Sequence, residues 1–149
     1  MTLEIRPKTD RGFFAEIYGA DVANCSDADF AAIKGAHLKH GVIVVRDQDI
    51  TPQQQIAFSK RFGPLMTVVL EDQLLAGHPE ILLVTNKKEK GRFIGIPDLG
   101  RKWHSDHSFE EMPPSGSLLY ALEVPEDGSG DTWFADMTAA YEALPEEER

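Results

Sequence analysis

The 149 residues are 42% hydrophobic and 27% charged, the proportions of a globular chain long enough to bury a core. Fifteen Lys and Arg against 25 Asp and Glu give a formal net charge of −10, which repels phosphate backbones and anionic lipid, so nucleic acid and membrane partners are not expected. No run approaches the roughly 18 consecutive apolar residues of a membrane span. Met1-Thr2-Leu3-Glu4-Ile5-Arg6 lacks the charged-then-apolar pattern of a signal peptide. Cys25 has no second cysteine to pair with, which fits a reducing, cytoplasmic setting, and it reads as a small residue ahead of a helix rather than a catalytic thiol.

In chain order, residues 13–18 read as a short strand bounded by Gly12 and Gly19. Ser26 or Asp27 can cap a helix that runs to about His40, with Phe30, Ile33 and His37 on one face, and Gly41 stops it. Val42-Ile43-Val44-Val45, four consecutive β-favouring residues, predicts a strand buried on both faces. Thr51-Pro52-Gln53-Gln54 has the pattern of a helix start closed by a capping box, and Gly63-Pro64 marks that helix's end. Another buried strand is predicted at 81–85, and 86–102 is a basic, glycine-containing loop or loose hairpin without a clear period. Strands are predicted at 117–124 and 132–135, followed by a helix over 137–144 that Asp136 caps and Pro145 ends. Pro145-Glu146-Glu147-Glu148-Arg149 resembles the opening of a further helix, so the chain reads as interrupted.

His104 and Asp106 stand two apart in a stretch predicted to be extended, which places imidazole and carboxylate on one face. One histidine, one carboxylate and a second histidine from elsewhere make the facial triad of non-haem Fe(II) oxygenases. A His-x-Asp pair alone is common by chance; its surroundings are not. Trp103-His104-Ser105-Asp106-His107-Ser108-Phe109 is followed by Pro113-Pro114-Ser115-Gly116, Glu123-Val124-Pro125, Gly130-Asp131-Thr132 and Ala139-Ala140-Tyr141-Glu142-Ala143-Leu144. Upstream stand Val44-Val45-Arg46-Asp47-Gln48, Thr51-Pro52-Gln53-Gln54-Gln55 and Arg61-Phe62-Gly63. This ordered series resembles the TauD/TfdA family of Fe(II)/2-oxoglutarate-dependent dioxygenases over nearly the whole chain.

The resemblance implies an α+β, mainly β fold: a double-stranded β-helix, or jelly roll, with flanking helices, here the incomplete amino-terminal part of a single domain. It implies His104 and Asp106 as metal ligands, Thr132 as a hydroxyl for a 2-oxoglutarate carboxylate, and no catalytic side chain beyond the ligands. The implied cofactors are Fe(II), 2-oxoglutarate and O2, with 2-oxoglutarate converted to succinate and CO2 as a C–H bond of a small, anionic organic substrate is hydroxylated.

Trp103 is read as packing behind the metal strand. The distal histidine ligand and the arginine for the second 2-oxoglutarate carboxylate fall beyond these 149 residues in the family. His37, His40 and His78 are read as structural rather than as substitutes. In taurine-cleaving members a histidine shortly after Arg-Phe-Gly contacts the sulfonate. Here Val68 is nearest that position, which argues against taurine. His107 occupies a place where relatives contact substrate and could recognise an anion, although strand parity turns it away from His104. The loop residues Ile94 and Ile96 are candidates for a lid.

Two other readings remain open from the residues. One is a non-catalytic metal-binding or interaction module derived from the family; the other is a metal-dependent hydrolase using His104 and Asp106. An incomplete barrel leaves sheet edges exposed, which favours self-association, including a homo-oligomer, or dependence on a partner.

Overall fold

In the computed structural model, which describes residues 2–66 and 73–149, strand β1 (Glu4–Pro7) pairs antiparallel with β2 (Ala15–Tyr18), and β2 pairs in parallel with β3 (Ile43–Val45). A parallel pair needs a crossover, and helix α1 (Asp27–His40) supplies it, packing on β2 and β3. This sheet lies in one of two compact units, Met1–Asp49 together with Ala121–Arg149; the other is Ile50–Tyr120.

The centre of the first unit follows from side-chain alternation on β2. Ala15 and Ile17 are fully buried on one face, and Ile33 of α1 is fully buried as well. Glu16, between them in sequence, is buried on the other face. Its carboxylate is taken by three donors: Lys8 Nζ and the Tyr18 hydroxyl each lie 2.6 Å from Oε2, and the Arg46 guanidinium binds Oε1, with Nε at 3.1 Å. Lys8 foremost, then Tyr18 and Arg46, hold the Glu16 pKa at about 2, below its ordinary 4.5.

Motif residues after β3 finish the job of joining segments. The Arg46 N–H donates to the Ile17 carbonyl at 3.0 Å, and Gln48 clamps the loop after β2, accepting from Val22 N at 2.9 Å and donating to Ala20 O at 2.8 Å. Helix α1 begins as the sequence predicts, with Ser26 Oγ accepting from Asp29 N at 3.1 Å. It ends at Gly41, whose φ of 70° suits glycine and whose missing Cβ would meet the Phe13 ring at 3.0 Å. His40 is buried and its Nδ1 donates to the Gly12 carbonyl, a structural role. Later in this unit, Asp136 Oδ1 accepts from Ala139 N at 2.9 Å to cap α3 (Met137–Glu142), which ends two residues before the predicted Leu144. The acidic run beyond Pro145 forms a single 3-10 turn, Glu146–Glu148.

In the second unit, Thr51 and Gln54 close the predicted capping box at the start of α2 (Pro52–Lys60). Phe58 of this helix is buried and meets Phe62 edge-on, ring centroids 5.5 Å apart. The helix packs on β5 (His78–Leu82), which pairs antiparallel with β4 (Leu74–Leu75). β5 thus starts three residues earlier than predicted, and 83–85 continues it by a different pairing. The Ile96 N–H donates to Leu83 O at 2.9 Å and Thr85 N–H to Ile96 O at 3.0 Å, a parallel bridge.

That bridge anchors the basic segment. β6 (Lys88–Glu89) and β7 (Arg92–Phe93) form a hairpin closed by Lys90 and Gly91, both at positive φ as a tight type I′-like turn requires. Close approach is possible because residue 95 is glycine: a Cβ there would lie 2.5 Å from the Leu83 carbonyl oxygen and 2.9 Å from Thr85 Cγ2.

The strands predicted at 117–124 and 132–135 do not form. Both segments run without a ladder partner among the described residues, and their apolar side chains Leu119, Leu122 and Trp133 are 75%, 76% and 77% exposed. Strand preference expresses packing against neighbouring strands, so a β-favouring composition does not make a strand where no partner lies alongside. Helix and sheet are therefore mixed, with three small sheets among the described residues. No described helix is long and apolar enough to cross a membrane.

Two outcomes follow from these contacts. Glu16 has a depressed pKa in the folded chain, so its stabilising contribution is complete above about pH 4.5 and is lost as pH falls toward 2. Glu16→Gln is accordingly expected to destabilise the chain at pH 7, with the difference from wild type shrinking across that window in acid titrations followed by circular dichroism. Gly95→Ala is expected to accelerate hydrogen exchange at the Ile96 amide while leaving the α1 amides unchanged.

Candidate metal centre

The segment that carries the candidate ligands is not a strand. Residues 103–105 are irregular and 106–109 form a turn, with His107 at φ 48°. The expected parity argument for His107 therefore does not apply. His104 and Asp106 nevertheless converge, Nε2 lying 3.1 Å from Oδ1.

Two further bonds fix this pair. His104 Nδ1 is 2.7 Å from the Lys102 carbonyl, which can only accept, so Nδ1 carries the proton. The Ser117 hydroxyl donates to Asp106 Oδ2 at 2.7 Å, reaching back eleven positions along the chain across the Pro113-Pro114 loop. The neutral imidazole thus presents the Nε2 lone pair to a carboxylate oxygen. Two acceptors at this separation repel unless positive charge lies between them, either a second ring proton or a metal ion. The Lys102 carbonyl, and then the Asp106 carboxylate, hold the imidazole pKa above its ordinary 6.5.

The donor set fits a borderline divalent metal such as Fe(II): one imidazole nitrogen with its other nitrogen tied to a carbonyl, and one carboxylate oxygen. Both side chains are about half exposed, at 54% and 52%, so a cation and further ligands can reach them. Among the described residues no third His, Cys, Asp or Glu completes a cluster.

The other predicted residues are placed as follows. Thr132 belongs to the first unit, exposed in the irregular segment ahead of the Asp136 cap. Val68 lies outside the described residues. His107 Nδ1 is buried without a hydrogen-bond partner among the described residues. Glu110 Oε1 is 3.9 Å from it, and the ring is tilted against Phe109 at 5.5 Å between centroids. Trp103 is 70% exposed and makes no packing layer of the kind expected, since the strand it was to back is not formed. His78 Nε2 lies 3.3 Å from the Gln53 amide nitrogen, and His37 sits in the last turn of α1. An open groove in the first unit, lined by Lys39, Gly41, Phe134, Met137 and Glu142 among others, includes none of the predicted site residues.

Sequence reasoning missed the two groups that hold the ligands. The Lys102 carbonyl leaves no trace in residue type. Ser117 stood out only as the start of a strand, and its one signal is the Pro-Pro-Ser-Gly loop that turns the chain back on itself.

Residues 4–149 match the family described as taurine catabolism dioxygenase TauD, TfdA family. The chain belongs to this family. It is 35% identical over 150 residues to a pentalenolactone F synthase from Streptomyces arenae, covering 99% of this chain and 50% of that protein. It is 32% identical over 159 residues to an (S)-phenoxypropionate/alpha-ketoglutarate-dioxygenase from Delftia acidovorans, covering 99% and 51%. The chain thus spans about half the length of these curated relatives. A crystal structure of a Burkholderia xenovorans protein, assigned as an alpha-ketoglutarate-dependent taurine dioxygenase, superposes with a TM-score of 0.52 at 30% identity, over 60% of this chain and 32% of that one.

A direct check is titration of the 149-residue chain with Co(II) under anaerobic conditions. His104→Ala and Asp106→Ala are each expected to abolish the His-dependent visible spectrum, and His107→Ala to retain it.

Proposed function

We propose that this chain carries the first two iron ligands, His104 and Asp106, of an Fe(II)- and 2-oxoglutarate-dependent dioxygenase that hydroxylates a small, anionic organic molecule. The observation that carries this reading is the convergence of His104 Nε2 and Asp106 Oδ1 at 3.1 Å with Nδ1 tied to a carbonyl. Membership of the TauD/TfdA family supports it. In this reading Thr132 offers its hydroxyl to a 2-oxoglutarate carboxylate.

Iron, when bound, supplies the activation of O2 coupled to conversion of 2-oxoglutarate to succinate and CO2. The chain's own residues bind and orient. The Lys102 carbonyl keeps the proton on Nδ1 and so keeps Nε2 available. His107 offers a hydrogen bond to an anionic group of the substrate.

Anionic ligands are favoured by a local charge pattern opposite to that of the chain. The segment leading into the pair holds Lys87, Lys88, Lys90, Arg92, Arg101 and Lys102 against Glu89 and Asp98, within a chain of net charge −10. Asp98 is paired with Arg101, and Lys88 lies over the Phe93 ring at 4.4 Å, exposed on the hairpin. One relative is named for (S)-phenoxypropionate, a carboxylate.

The test is anaerobic calorimetric titration of 2-oxoglutarate into the chain. Binding is expected only with Fe(II) present, and Thr132→Val is expected to weaken it about 10-fold, the scale of one hydrogen bond to a charged group. Replacing Lys88, Lys90 and Arg92 together by Ala is expected to weaken binding at low salt, with the gap closing as salt rises. Aerobic release of succinate that depends on His104 would support the oxygenase. Metal binding without any affinity for 2-oxoglutarate would favour the non-catalytic module, and metal-dependent hydrolysis indifferent to 2-oxoglutarate would favour the hydrolase.

A further inference from the structure

We infer that Ser117 is a positioning residue for the metal: its hydroxyl withdraws one oxygen of Asp106 from the cation and aims the other at the point His104 faces. This rests on the assignment of His104 and Asp106 as ligands.

A free carboxylate has two equivalent oxygens and can offer a cation either or both. In this chain the two are made unequal. Oδ2 accepts the Ser117 hydroxyl at 2.7 Å, a charge-assisted bond, while Oδ1 stands 3.1 Å from His104 Nε2. An Oδ2 already holding a donor is a poorer metal ligand, so Asp106 presents a single oxygen and occupies a single coordination position. That economy matters for a metal that must also accept a chelating oxoacid and O2, because each position taken by the second carboxylate oxygen is one fewer for them.

The same bond also fixes the carboxylate's rotation. Asp106 opens the turn over 106–109, and both it and Ser117 are exposed rather than clamped in a core. The hydroxyl stands in for that packing. It also gives the Pro113-Pro114-Ser115-Gly116 loop a purpose: the loop returns the chain so that residue 117 meets residue 106. Among the described residues Ser117 has no buried core to support, so its substitution is not expected to unfold the unit.

The experiment compares the wild-type 149-residue chain with Ser117→Ala, Ser117→Thr and Ser117→Val by anaerobic Co(II) titration, reading affinity and the visible spectrum at saturation. Thr keeps the hydroxyl and Val matches Thr in shape without it. Loss of such an outer ligand contact typically weakens a metal about 10-fold or more. Ser117→Ala and Ser117→Val are expected to show that loss together with an altered spectrum, while Ser117→Thr matches wild type, all four chains melting alike by circular dichroism. If Val and Thr variants bind Co(II) with the same affinity and spectrum as wild type, the inference is overturned and the ligand assignment stands. If wild type binds Co(II) no better than His104→Ala, the ligand assignment fails, and the role of Ser117 with it.

Discussion

A buried carboxylate in the middle of a three-stranded sheet is the constraint on which the first unit depends. Glu16 is inside, where an unpaired charge is not tolerated, so three donors have to be delivered to it: Lys8 from just beyond β1, Tyr18 from β2 itself, and Arg46 from just beyond β3. Each donor comes from a different part of the sheet. The ion cluster therefore specifies which segments lie side by side, a task apolar contacts perform with less selectivity. Once Arg46 is in place, Gln48 two residues on can reach the loop between β2 and α1, and the parallel β2–β3 pairing is fastened at its carboxyl-terminal end. The Val-Val-Arg-Asp-Gln segment thus has a structural reason for its polar residues.

The candidate metal pair is organised on a different basis. Among the described residues no ladder holds His104 or Asp106, and both are about half exposed. Each is held by one hydrogen bond, to the Lys102 carbonyl and from the Ser117 hydroxyl. Those bonds do the work usually done by a rigid strand: one sets the tautomer, the other breaks the symmetry of the carboxylate. What is left is a nitrogen lone pair and a carboxylate oxygen 3.1 Å apart, a contact that only positive charge makes favourable. Both groups are about half exposed, so a cation from solvent can reach the pair.

Local signals in the sequence translated well into structure. Ser26, Thr51, Gln54, Asp136 and Gly41 cap or stop helices as their side chains and backbone freedom dictate, because caps are decided within four residues of themselves. The strand expected over 42–45 forms over 43–45, but half-buried at the edge of its sheet among the described residues rather than buried on both faces. Segments 117–124 and 132–135 form no strand, although their composition is as β-favouring, because a strand is a property of two segments and composition describes one. The ligand pair was legible through its spacing and surroundings, yet the stated reason, strand parity, was not the geometry found: a turn brings the two side chains together. Glu16 escaped notice for the same reason as Ser117. A single acidic or hydroxyl residue carries no mark of its partners, which lie 30 residues away for Arg46 and 11 for Asp106.

Charge is distributed in a way that follows from the distance over which it acts. With a screening length of roughly 8 Å at physiological salt, the net −10 of the chain is not felt as one field by a small dianion. What such a ligand meets is the local balance, and the six basic residues between Lys87 and Lys102 make that balance positive just before His104. The hairpin that bears three of them is tied down by the bridge between Val84 and Ile96, which in turn requires glycine at 95. A backbone requirement at one residue thereby decides where cationic side chains stand. A chain that is strongly negative as a whole can therefore present a locally positive segment.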